Sequence, residues 1–316
     1  MRHWKYFLQA FVTLIILWYL TQIIPLQQVY QSILNSDLKW FAAALVLITI
    51  SLFLMSVRMK LMMDQQKIYI QLWQVFRIRL ISFYYKLFIP GGTLANIGIL
   101  FYKFTQIKKE KKPEIISTIM FDRILATIGL CFAGLCCLFF AKPNLPLLLT
   151  YLIFLIFSSL LLLIILLSNT RLSNLIEDKL QNRSNKLSSK LLKLVATVKE
   201  FQKLSTLHLL YLVILSILPH IVGIFAFTAI STSMGLSLSI LDWGWIRSIV
   251  IIGTMLPISL AGIGIRDGLI IYILHQYSVS ADTAWALSFL LLAATALWPA
   301  LLGLTLELSN DDRGQN

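Results

Sequence analysis

The sequence predicts an all-α polytopic membrane protein of about six spanning helices and two re-entrant Pro/Gly-broken hairpins, eight membrane elements in all. Three observations carry that prediction. Hydrophobic residues make up 58% of the chain and charged residues 13%, far from the balance of a soluble protein. Apolar stretches at 6–24, 40–57, 115–141, 145–168, 207–230, 243–265 and 283–306 run close to the ~20 residues that cross a bilayer as a helix. Basic residues gather in blocks between them, as the inner-side excess of Lys and Arg requires.

The elements follow in order from those blocks. Arg2 and Lys5 place the N-terminus on the cytoplasmic side, and Pro25, Leu26 and Gln27 follow the first stretch where a signal peptide would carry small residues, so 6–24 is read as a retained helix. Asp37 and Lys39 mark an outer connection, and 40–57 returns the chain to Arg58, Lys60, Lys67, Arg77 and Arg79 inside. Lys103, Lys108, Lys109, Lys111 and Lys112 are also inside, so the intervening SFYYKLFIPGGTLANIGILFYKF must enter and come back. Its break is placed at Pro90, Gly91 and Gly92, with Gly98 beyond, because Pro lacks an amide proton and Gly permits turns closed to other residues. Such backbone is tolerated at membrane depth only where protein or a wet cavity surrounds it. The 115–141 stretch then goes out and 145–168 comes back.

Residues 171–205 form a Lys-rich cytoplasmic segment, read as amphipathic helix on the anionic inner leaflet or as a solvated linker. After 207–230 goes out, the stretch 243–278 has both ends outside, between Asp242 and Asp282, and 283–306 returns inside. LPISLAGIGIRDG lies in the middle of 243–278, giving a second hairpin whose turn residues are Pro257, Ser259, Gly262 and Gly264. The phrase LANIGI at 94–99 therefore returns as LAGIGI at 260–265, in a hairpin entering from the other face. One integral membrane domain, 1–316, divides into half-repeats 1–141 and 142–316, each with three crossings and one hairpin. An odd number of crossings turns the second copy over, the inverted-repeat plan of many transporters.

This threading assigns Arg58 and Arg79 to the inner loop and leaves Lys86, Arg123, Arg247 and Arg266 within membrane segments, with Asp122 and Asp267 as the acids there. Intramembrane charges are expensive and are candidates for function. Arg266 is read either as holding a lipid phosphate through paired donors, with Asp267 orienting it, or as forming with Asp267 a structural ion pair that ties the hairpin to its neighbours. Asn96 would add hydrogen bonds, Arg123 would line the cytoplasmic entrance, and Asp122 lies beside it. Lys86 and Arg247 are read as reaching the nearer interface, and His220 after Pro219 as a buried histidine at a kink. Cys131, Cys136 and Cys137 lie in one apolar stretch without metal or disulfide spacing. No G-x-S-x-G, H-E-x-x-H or P-loop occurs, so neither metal nor cofactor is expected and the enzyme reading is disfavoured. The net charge of +13 belongs to inner loops, and no nucleic-acid partner is expected.

LPISLAGIGIRDG resembles the proline, serine, Gly-x-Gly, Arg-acid signature of the flippase-like membrane domain of lysylphosphatidylglycerol synthases, with Ala261 where glycine is common and Asp267 where glutamate is usual. FDRILATIGL from Phe121 is similar to the same family's arginine at the opening of a glycine-bearing helix, whereas IPGGTLANIG departs, with Asn96 and Ile99 where the family tends to carry an acid and an arginine. The resemblance implies lipid translocation between leaflets. The chain stops shortly after its last expected helix, so the aminoacyl-transfer domain of those synthases is not expected here. The function expected is flippase-like binding or movement of an anionic phospholipid or lipid-linked head group, in the cell (inner) membrane. A membrane-embedded transferase on lipid-linked sugars and an accessory subunit of an envelope-biosynthesis complex are the alternatives.

Overall fold

In the computed structural model, residues 26–88, 92–143, 146–169, 206–255 and 262–311 are described, with a few isolated positions elsewhere. Every regular element among them is helical. The expected first crossing at 6–24 and almost all of the Lys-rich segment 171–205 lie outside the described residues, as do Pro90, Gly91, Pro257 and Ser259.

The chain forms α1 (Leu26–Leu34), α2 (Leu38–Gln65), α3 (Leu72–Phe88), α4 (Gly92–Ile107), α5 (Lys112–Ala141), α6 (Leu147–Ser168), α7 (Thr206–Ser233), α8 (Ile240–Met255), α9 (Ile265–His275), α10 (Ala281–Leu292) and α11 (Trp298–Asp311). A π-helical turn, Ala293–Leu297, joins α10 to α11 without a break. Pro299, which has no amide proton to give, follows one residue after it, and widening the turn lets the ladder absorb the missing donor. Four stretches are long and apolar enough to cross a membrane: 38–65, 109–141, 207–233 and 281–309. The protein is therefore a multi-pass membrane protein.

Local chemistry explains the boundaries. Asp37 caps α2 by accepting from the Lys39 amide at 2.8 Å. Pro113 sits in the first turn of α5, where its missing donor costs nothing. Lys142, at φ 44°, ends α5 in the left-handed region. α2 continues eight residues beyond the expected end at 57, because Met59, Met62 and Met63 have neighbours to bury against. That extension carries Arg58 into the protein, correcting its placement in an inner loop.

Packing follows a reciprocal scheme. α2 and α7 run antiparallel along their length: the Asp37 amide donates to Ser233 O at 2.7 Å, and Ser51 Oγ to Pro219 O at 2.9 Å. α5 packs on α8, and α11 packs on α3. Small residues allow these approaches: a Cβ on Gly303 would lie 2.2 Å from Leu80 O, and one on Gly134 would lie 2.7 Å from Ser248 Cβ. The hairpin arms are short. At 1.5 Å per residue α3 and α4 reach about 25 Å each and α9 only about 17 Å, below the ~30 Å hydrocarbon core.

The two similar phrases occupy different structures. In LAGIGI the described residues begin at Gly262, with Gly262 at φ 78° and Gly264 at φ 89°, and α9 begins only at Ile265. In LANIGI the residues from Ala95 onward lie inside α4, and a Cβ at Gly98 would meet nothing within 4 Å. Gly98 is thus a helical residue rather than part of a turn, because the chain has already re-formed helix at Gly92.

Candidate functional site

Two separate groups of charge are buried in the helical assembly. The larger is centred on Asp122, 1% exposed, ten residues into α5 and so about 15 Å from its start. Arg58 from α2, also 1% exposed, donates to Asp122 Oδ1 through Nε at 2.9 Å and Nη2 at 2.8 Å, and to Asp122 O at 3.2 Å. Arg79 from α3 lies 3.7 Å from Oδ2 and is held by Ser56 Oγ and Met55 O, both at 3.0 Å. Arg123 follows in the chain and gives Nη2 to Asn96 Oδ1 at 2.6 Å, while Asn96 Nδ2 donates to Ser82 Oγ at 3.2 Å. The first hairpin is thereby hydrogen-bonded to α5.

Charge in this group does not balance. Three guanidiniums stand around one carboxylate: Arg58 and Arg79 reach it at ion-pair distance, and Arg123 is its chain neighbour. Removing cations from water is costly unless opposite charge or acceptors replace it. Among the described residues, Arg58 Nη1 and Arg123 Nε are buried without a hydrogen-bond partner. The arrangement can therefore accept an anion whose oxygens would take those donors.

The second group closes on itself. Arg266 gives Nη2 to Asp267 Oδ1 at 2.7 Å and Nε to Ser288 Oγ at 2.8 Å, and Ser288 Oγ bonds Asp267 Oδ1 in turn. Asp267 Oδ2 accepts the Gly264 amide at 2.7 Å, capping α9 and satisfying the glycine turn. One cation meets one anion here, both nearly fully buried, and the pair ties the second hairpin to α10.

The structure thus joins Asn96 to Arg123 and sets Asp122 beside them, while Arg266 and Asp267 stand apart. Among the described residues no hydrogen bond or ion pair links the two groups, although α4 touches α8. Gly92 opens α4, and Gly262 and Gly264 form the second turn.

Sequence reasoning missed Arg58 and Arg79, taken as orientation markers. The available signal was Asp122, a carboxylate in an apolar helix that needs more than its chain neighbour. Arg247 is 6% exposed, with Nη1 3.3 Å from His220 Nδ1, so it packs against α7 inside the helical assembly. The apolar cavity of about 180 Å³ between Ile153, Phe157, Ile252 and Leu269 is lined by none of the residues of either charge group. Among the described residues, no group of three His, Cys, Asp or Glu side chains is arranged to hold a metal ion.

No curated protein matches the chain. Residues 6–303 match the family described as the lysylphosphatidylglycerol synthase TM region, nearly the whole length. With helices of spanning length, buried intramembrane charge and that match together, the chain belongs to the lysylphosphatidylglycerol synthase transmembrane-region family.

Proposed function

We propose that this protein binds an anionic phospholipid or lipid-linked head group and moves it between leaflets, with the head-group phosphate held at Arg123, Asn96 and the cations around Asp122. The observation that carries the reading is the surplus of buried positive charge: three arginines, Arg58, Arg79 and Arg123, around one carboxylate, with Arg123 Nε unpaired among the described residues. A phosphodiester supplies the missing charge and acceptors, and guanidinium donors fit it in bidentate fashion.

The element order supports a mechanism of two rocking halves. A long helix, a two-armed hairpin and a second long helix occur in α2 to α5 and again in α7 to α11. Contacts exchange between the halves accordingly, α5 with α8 and α11 with α3. In the proposed scheme the copies are inverted and the hairpins are re-entrant. Arg266 and Asp267 then serve to hold the second hairpin rigid for that motion, and their ion pair opens only if a lipid phosphate competes with Asp267.

Lipid analysis of each leaflet, in cells with and without the gene, tests the reading. The account expects the same lipids in both strains but a changed sidedness of an anionic one. A changed inventory of lipids would instead favour a transferase on lipid-linked substrates.

A further inference from the structure

Arg247 lies in the first arm of the second hairpin, seven residues into α8. Unlike Arg266, it faces no carboxylate at ion-pair distance among the described residues. Its surroundings form a cradle on one face of α7, built by His220, Gly223 and Phe227 at helical spacing. The guanidinium lies against Gly223, where a Cβ would come within 2.4 Å of Nη2, 2.6 Å of Cζ and 2.8 Å of Nε. The Phe227 ring centroid is 5.5 Å from Cζ.

His220 fixes the cradle's polarity. Its Nε2 is 2.8 Å from Ala126 O, which can only accept, so Nε2 carries the proton and Nδ1 is the acceptor for Arg247 Nη1. Among the described residues the arginine is thereby held by neutral partners alone, and its Nε is buried without an acceptor. Arg58, by contrast, spends three hydrogen bonds on Asp122. A cation kept at this depth and left uncompensated is a site awaiting an anion.

We infer that Arg247 is a second anion-binding residue, supplied by the second half, which takes the phosphate of an anionic phospholipid as Arg123 does in the first half; His220 is its positioning residue. The inference rests on the proposed function. Free inorganic phosphate presents the same oxygens, and the experiment separates the two sources.

The full chain is purified in detergent with phosphatidylglycerol or phosphatidylcholine, and lipid retention is read by native mass spectrometry, with and without inorganic phosphate. Wild type is expected to retain phosphatidylglycerol over phosphatidylcholine. Arg247→Gln weakens that retention about tenfold, the scale of one charge-assisted contact. Gly223→Ala, which displaces the guanidinium without removing charge, weakens it in the same direction and carries the test if R247Q does not fold. Phosphate bound by wild type and lost in R247Q, with phosphatidylglycerol retention equal in both, would make the ligand the free anion. If folded R247Q and G223A keep wild-type retention of both phosphatidylglycerol and phosphate, the inference is wrong. Should R123Q lose lipid while R247Q does not, the proposed function stands without it. A wild type that does not prefer phosphatidylglycerol overturns the proposed function itself.

Discussion

Asp122 holds the larger charge group together, since its two oxygens are the only carboxylate acceptors for Arg58 and Arg79 among the described residues. Removing the charge with Asp122→Asn leaves two buried guanidiniums facing one another, and the expected loss is about 3–5 kcal/mol. Thermal unfolding in detergent micelles measures it. Arg58→Met in the same chain recovers part of the loss, because one uncompensated cation is then gone; no recovery would mean that Arg58 is not the partner that matters. This residue-level picture was half legible in the sequence. Asp122, Arg123 and Asn96 stood out as polar groups in apolar helices, but Arg58 and Arg79 looked like inner-loop charges. The positive-inside pattern reports sidedness and cannot distinguish a loop arginine from one that a helix carries back inside.

At the scale of elements, the two glycine phrases make opposite predictions. Gly98 lies mid-helix with open space around it, so Gly98→Ala is expected to be neutral or to stabilise α4 by up to about 1 kcal/mol. Gly264 has φ 89° and ψ −56°, outside even the left-handed helical region, so Gly264→Ala costs about 1–3 kcal/mol in backbone strain. Unfolding midpoints of the two variants decide between this account and one in which both phrases are turns. Gly303→Ala pushes α11 off α3 at the Leu80 carbonyl and is expected to cost about 1–3 kcal/mol. The sequence placed a helix wherever apolar length allowed one, and four such spans are present. It could not separate the phrases, because five identities in six conceal the decisive difference: only the second copy is followed by Asp267, whose carboxylate caps a helix starting at Ile265 and so fixes the turn before it.

For the whole molecule, the packing of α5 on α8 and of α11 on α3 is the exchange expected of the two halves in the proposed scheme. The proposed inversion has a direct consequence. Tyr69, in the turn between α2 and α3, and Ser278, between α9 and α10, are expected on opposite sides of the membrane. Single cysteines at these positions, in a chain whose Cys131, Cys136 and Cys137 are replaced by Ser or Ala, are expected to react with an impermeant thiol reagent from opposite faces. Reaction of both from one face would remove the inversion and with it the rocking scheme.

The central claim, that surplus buried positive charge serves to carry an anionic lipid, is tested most directly in vesicles reconstituted with the purified chain. A head-group-labelled phosphatidylglycerol is placed in both leaflets and an impermeant quencher is added outside. Wild-type protein is expected to expose the inner pool to the quencher, and folded Arg123→Gln to slow that exposure at least tenfold. Equal quenching in wild-type, R123Q and protein-free vesicles would contradict the account.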